Sequence, residues 1–384
     1  MGFEEKSGAA AASTEPLWRQ YRDEFPVTKN LIYLNHAAVA PLPKRTAQAM
    51  QSWAQDALEF GSLHYSKWLD TYEALRVAAA KLIGAQRSEI ALIKNTSEGI
   101  SAVANGLEWH PGDRIVAFRE EFPANYYPWK RLEANRCIVE WLSVHDPLEK
   151  IDSACTGARL LAISFVQYLS GFRANLNAIG EICRRRRCFF FVDAIQGLGA
   201  FPLDVEVARI DALAADGHKW MLGPEGWGIL YVRKDRQDSI FPHEFGWTNV
   251  AGYNDYSSRD MALRGDAGRY ECGTLNTIGS YGLLASLELL LEIGIGQTAP
   301  AVQGLADQLA EGARRKGYEL LGDRTPETGA GIICLQKPAL DSRKVVSDLR
   351  QHGILAAPRQ GWIRMSPHFY ISPDEIDRVI SALP

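Results

Sequence analysis

Between residues 85 and 235, short apolar runs alternate with stretches of helical character. The runs are Ile90-Ala91-Leu92-Ile93, Arg114-Ile115-Val116-Ala117-Phe118, Leu160-Leu161-Ala162-Ile163-Ser164, Phe189-Phe190-Phe191-Val192, Ala212-Leu213-Ala214-Ala215 and Gly228-Ile229-Leu230-Tyr231-Val232. Each has strand length and lacks polar alternation, which fits strands covered on both faces. Their spacing predicts βαβ units around a mostly parallel sheet. Upstream, Leu31-Ile32-Tyr33-Leu34 reads as a short strand before a turn at Pro41 and Pro43. Residues 44–83 carry apolar positions three and four apart and read as helices. Thr277 to Gly296 reads as one long apolar helix joining two domains. Beyond it, strands at Gly331–Leu335 and Trp362–Ser366 and a helix over 341–352 suggest a small α/β domain. Ser372 with Glu375 three positions on resembles a capping box opening a last helix. The expected organisation is a flexible tail over 1–16, a large domain over 17–276, and a linking helix with a small C-terminal domain over 277–384.

Of the 384 residues, 46% are hydrophobic and 23% charged, as a packed core requires. A net charge of −4 leaves no electrostatic footprint for nucleic acid. The basic run Arg184-Arg185-Arg186-Arg187 reads as a solvated helix end. Six cysteines show no CxxC pair and no metal-ligand spacing, so no metal is expected and the thiols read as reduced, in a cytoplasmic protein. Residues 1–16 contain Glu4 and Glu5 and lack the apolar centre of a signal peptide. Lys6 stands where a myristoylation motif needs Ser or Thr. No window offers the roughly 20 apolar residues of a membrane span.

The candidate chemistry centres on Lys219, in Asp216-Gly217-His218-Lys219-Trp220, and on Asp193, 26 positions earlier (219 − 193) at the end of the Phe189 run. A lysine and an aspartate at the ends of buried strands are what pyridoxal 5'-phosphate needs: an amine for a Schiff base with the aldehyde, and a carboxylate for the pyridinium nitrogen. Asn95-Thr96-Ser97-Glu98-Gly99 follows an apolar run and would open a helix whose N–H groups suit a phosphate. Gln196, three after Asp193, would reach the cofactor's phenolic oxygen or the Schiff-base region, and His218 its phosphate. Arg364 offers a bidentate guanidinium for a substrate carboxylate. Singly, each motif also has a plain reading, as a helix cap, a strand-end aspartate, a turn lysine or a surface arginine.

Order and spacing join these motifs to others. Glu121-Phe122-Pro123-Ala124-Asn125, Phe165-Val166-Gln167-Tyr168, Arg269-Tyr270-Glu271-Cys272-Gly273-Thr274 and Tyr33-Leu34-Asn35-His36 complete a pattern that resembles the class V aminotransferase family of fold-type I pyridoxal phosphate enzymes, across nearly the whole chain. The resemblance implies a mostly parallel sheet of the seven-stranded type with a smaller C-terminal α/β domain. It implies that Thr96 and Ser97 hold the phosphate, Phe122 stacks on the ring, Gln167 contacts the ring oxygen, and Arg364, Asn35 and His36 line the substrate side. It also implies a homodimer with shared active sites, in which Thr274 reaches the partner's phosphate. Three departures bear on the reaction. Asp216 stands where many relatives have Ser, so it is not counted as a cofactor ligand. Residues 352–361 hold no cysteine where desulfurases of the family carry their nucleophile, and Phe122 replaces their stacking His. The version here looks more like the isopenicillin-epimerase-like and kynureninase-like branches. The expected function is a cytoplasmic enzyme acting on an amino acid, foremost an aminotransferase. A C–S/β-elimination lyase or epimerase of the same family is the alternative, and a non-catalytic binding protein the alternative of another class. A nicotinamide dehydrogenase finds no support, because Gly294-Ile295-Gly296 follows a helix and not a strand.

Overall fold

The computed structural model describes residues 15–384, so residues 1–14 of the expected tail lie outside the described residues. A two-residue strand, β1 (Ile32–Tyr33), precedes two helices, Lys44–Phe60 and Tyr65–Ile83. Seven strands then build one sheet: β2 (Ile90–Ile93), β3 (Arg114–Phe118), β4 (Ile138–Leu142), β5 (Leu160–Ser164), β6 (Phe189–Asp193), β7 (Ala212–Asp216) and β8 (Gly228–Val232). Their order is β2-β8-β7-β6-β5-β3-β4. Five neighbours run parallel, and β8 is antiparallel to both β7 and β2. Two antiparallel steps return β2 to the common direction, so the chain leaves β2, β3, β5, β6 and β7 at one edge of the sheet. In an open α/β sheet that edge is where ligands gather.

The six apolar runs are all strands. Ile138–Leu142 is a strand that the pattern did not announce: at the sheet edge its first four residues are partly exposed, with Glu140 and Trp141 interrupting the apolar run. The long apolar helix ends at Ile293, and the chain turns 87° into a second helix, Ile295–Arg315. Gly294 makes that bend at φ +83°, a conformation open to glycine. No single helix among the described residues is long and apolar enough to cross a membrane.

The C-terminal part contains β9 (Glu319–Leu320), β10 (Ile333–Gln336), β11 (Ile354–Leu355), β12 (Ala357–Arg359) and β13 (Trp362–Met365), with helices Ser342–Gln351 and Pro373–Ala382. Four of these strands form an antiparallel sheet in the order β12-β13-β10-β9. The last helix carries the full capping box of Ser372 and Glu375. β1 does not join the large sheet. It pairs in parallel with β11, and an isolated bridge joins Asn35 to Ser366. Arg22 adds a two-pronged ion pair to Glu375, at 2.7 and 2.8 Å, and Phe25 stacks on Tyr370 with ring centroids 3.7 Å apart. The N-terminal segment is thereby fastened to the C-terminal one.

Candidate active site

Lys219 sits in the turn between β7 and β8. That turn is closed by Gly217 N to Trp227 O at 2.8 Å, Gly223 N to Gly217 O at 2.8 Å, and Leu222 N to Lys219 O at 3.1 Å. Leu222 adopts φ +60°, a strained position for a branched side chain. Its side chain is fully buried, and its carbonyl accepts from Ser286 Oγ at 2.8 Å, so packing holds the strained turn in place. The result is a lysine aimed inward. Its Nζ lies 5.7 Å from the centroid of the Phe122 ring. Burial is the largest influence on its pKa, which is lowered to about 8; Asp193 and Asp216 oppose that shift, and Arg364 and Arg359 add to it.

Asp193 ends β6 and is 2% exposed. It accepts one backbone hydrogen bond, from Ile195 N at 3.1 Å. Burial lifts its carboxyl to about 6, against the pull of that N–H and of Lys219. Next to it, in register across β5 and β6, is Ser164. The Ser164 backbone N–H donates to Glu121 at 2.6 Å, and its hydroxyl also bonds that carboxyl. Glu121 is itself buried, and burial together with repulsion from Asp193 pushes its carboxyl up to about 8. Sequence reading missed Glu121, because a charged residue ahead of Phe122 carries no sign that it turns inward.

The helix Thr96–Gly106 begins at the same edge, capped by Asn95, whose side chain accepts from Glu98 N at 2.9 Å. Gly99 lets it approach the sheet: a Cβ there would lie 2.7 Å from that of Ala214. The Thr96 hydroxyl accepts from Asp216 N at 2.9 Å, while Ser97 is exposed in the first turn. His218 Nδ1 lies 2.8 Å from Asp216 Oδ1, so Asp216 faces the histidine. Phe122 is about half exposed and meets Tyr168 edge to face at 5.3 Å.

Three expected ligands are already engaged by the protein. The Gln167 carbonyl accepts from Leu169 N, Ser170 N and Ser170 Oγ, and its amide nitrogen donates to Glu120 O. Gln196 bridges Ala37 O and Trp220 Nε1, both at 3.0 Å. Both nitrogens of His36 are taken, by Ser366 O at 2.8 Å and the Tyr370 hydroxyl at 2.6 Å. Burial lowers the His36 pKa to about 4, which keeps the ring neutral. Both ring nitrogens of His36 are thus engaged within the protein, and the ring ties the N-terminal segment to the C-terminal one. By contrast, the Asn35 side-chain oxygen and Arg364 Nε are buried without a hydrogen-bond partner. Arg364 Nη1 donates to Tyr168 O at 2.9 Å. Thr274 is exposed on the protomer surface, and the preceding segment is anchored by the buried pair of Glu271 and Arg76.

Away from this edge, the sulfurs of Cys155, Cys183 and Cys188 lie within 4.8 Å of one another, a trio that sequence spacing did not suggest. All three are buried.

These residues fit pyridoxal phosphate: an inward lysine facing an aromatic ring, a buried carboxylate, a helix N-terminus, and orphaned polar atoms on the substrate side. Fold and site together define a fold-type I pyridoxal phosphate enzyme. The chain belongs to the aminotransferase class V family, whose model matches residues 32–378. It is 30% identical to a probable cysteine desulfurase of Pyrococcus abyssi, over 94% of this chain and 96% of that one. It is 28% identical to the uncharacterized aminotransferase YcbU of Bacillus subtilis, over 96% and 98%. Among solved structures, the apo cysteine desulfurase of Thermococcus onnurineus superposes with a TM-score of 0.89 at 27% identity, covering 97% and 98% of the two chains.

Proposed function

We propose that this enzyme transfers the amino group of an α-amino acid, with Lys219 as the proton carrier at Cα. The observation that carries the reading is the setting of Lys219, an amine desolvated to a pKa of about 8 against Phe122 and flanked by Asp193 and Arg364. When bound, the cofactor supplies an aldehyde for the substrate amine and a ring that accepts the electron pair left at Cα. With the cofactor bound, Lys219 Nζ, neutral in part near pH 7, would be the residue that takes and returns the proton lost from Cα. Asp193 holds a proton on the ring nitrogen. Phe122, steadied by Tyr168, covers one face of the ring and excludes water. Thr96, Ser97, His218 and the N–H groups of the helix start receive the phosphate. Arg364 Nε and the Asn35 oxygen, both lacking partners, receive the substrate's carboxylate and amine. Gln167, Gln196 and His36 act by positioning the walls.

Relatives such as that of Pyrococcus abyssi carry the name cysteine desulfurase, a reaction that in this family uses a cysteine before the carboxylate arginine. Residues 352–361 have none. Cys334 is fixed in β10 with its thiol pushed up to about 12 by burial, and Cys272 leans on Glu244. These facts argue against persulfide-forming desulfuration, and transamination is the reading put to the test. Mixing the holoenzyme with L-amino acids should convert the cofactor to its amine form with one equivalent of 2-oxo acid. Oxo acid forming while the aldehyde form persists would overturn transamination in favour of elimination.

We further propose a homodimer with shared sites. Thr274 is exposed, and Phe241, Phe245, Trp247 and Met261, in the segment before it, are exposed apolar residues. Light scattering should return twice the 42.6 kDa protomer mass; a stable, active monomer would refute the shared site.

A further inference from the structure

Arg359 has no part in the reading above, yet it belongs to the same wall. The register of β12 and β13 sets Ala357 opposite Arg364 and Arg359 opposite Trp362. Paired residues share a face, and Arg359 lies two positions from Ala357, so Arg359 and Arg364 leave the hairpin on one face at diagonal positions. Such positions are about 7–8 Å apart, within reach of long side chains. Like charges placed this way repel unless something negative lies between or beyond them.

Among the described residues no carboxylate pairs with either. Arg364 bonds Tyr168 O, and Arg359 bonds only the carbonyl of its own neighbour, Pro358, at 3.0 Å. Among the described residues neither forms an ion pair, whereas Arg76, Arg186, Arg233 and Arg264 each meet a carboxylate. Arg364 is 3% exposed, whereas Arg359 is exposed. The effect reaches the site: after burial, Arg359 is the next influence lowering the pKa of Arg364, and it contributes to that of Lys219. The hairpin tip is held in place, since Gln360 Nε2 donates to the Tyr168 hydroxyl at 2.8 Å.

We propose that Arg359 determines specificity by receiving a second anionic group at the far end of the substrate side chain, so that the substrate class is acidic α-amino acids. The proposal rests on the reading in which Arg364 takes the α-carboxylate. One unpaired arginine accounts for a monoanionic substrate; the second, outside it on the same face, calls for a second charge. A charged hydrogen-bonded pair of this kind is worth about ten- to a hundredfold in affinity.

The test titrates the holoenzyme with glutarate and with butyrate by calorimetry, and compares kcat/KM for L-glutamate and L-aspartate with that for L-norvaline, in wild type, Arg359→Gln and Arg359→Lys. Wild type should prefer glutarate by about tenfold or more. Arg359→Gln should lose that preference and the matching kcat/KM for the acidic substrates while leaving L-norvaline nearly unchanged, and Arg359→Lys should recover part of both. Equal binding of the two acids by wild type would overturn the proposal. So would an equal loss for acidic and neutral substrates, which would place Arg359 on the shared α-carboxylate. If no amino acid were turned over, the transaminase reading would fall, while the glutarate titration would still decide the role of Arg359.

Discussion

Replacing Lys219 by alanine should slow turnover about a thousandfold or more, within the range lost with a positioned acid–base group. On the proposed reading the lysine has two tasks that no neighbour shares: attaching the cofactor and moving the proton at Cα. The remaining binding set would survive the change, so Lys219→Ala should still take up the cofactor and yield it again on dialysis, borohydride or not. In the wild type, borohydride should fix it permanently. Attachment should also follow pH. Only a neutral amine attacks an aldehyde, and the amine's pKa is lowered from 10.5 to about 8. The capture rate of the apoenzyme should therefore climb about tenfold per unit up to pH 8 and level off above it. Undiminished turnover by Lys219→Ala would remove the chemical reading altogether.

Asp193→Asn should cost about a hundred- to a thousandfold in kcat, the scale of a lost preorganised charge. Asparagine keeps the shape and the hydrogen bond from Ile195 but cannot hold a proton on the ring nitrogen. The wild-type carboxyl, raised to about 6 by burial, is charged at neutral pH, and a pyridinium against it would strengthen that charge. The same change removes the repulsion that helps raise Glu121, so the Glu121 carboxyl should move down from about 8. Measured kcat at saturating cofactor is the readout, and a value within threefold of wild type would end the role assigned to Asp193.

Much of the scaffold was legible because buried parallel strands need unbroken apolar runs. Asp193 and Lys219 could be read because each stands just past such a run. The limits were physical too. A half-exposed edge strand such as Ile138–Leu142 lacks that signature. The apolar run Leu31–Leu34 marked a strand but holds no information about its partner in β11. For Gln167, Gln196 and His36, residue type allowed a ligand contact; the bonds that occupy them come from residues up to 334 positions away, as in His36 with Tyr370. Arg359 went unnoticed because an exposed arginine is commonplace until the strand register puts it beside Arg364.

The pairing of β1 with β11 also sets an order of events in biosynthesis. Ile32 and Ile354 are 322 residues apart (354 − 32), and at about 5–20 residues per second β1 waits on the order of half a minute for its partner to be made. The strands and turns that carry Thr96, Phe122, Asp193 and Lys219 are all synthesised by Val232. Once the chain has passed Ser286, which holds the Lys219 turn through Leu222 O, this edge of the sheet can assemble before the hairpin bearing Arg364 is made. A cofactor that bound this edge would stabilise the nascent chain before the hairpin bearing Arg364 existed.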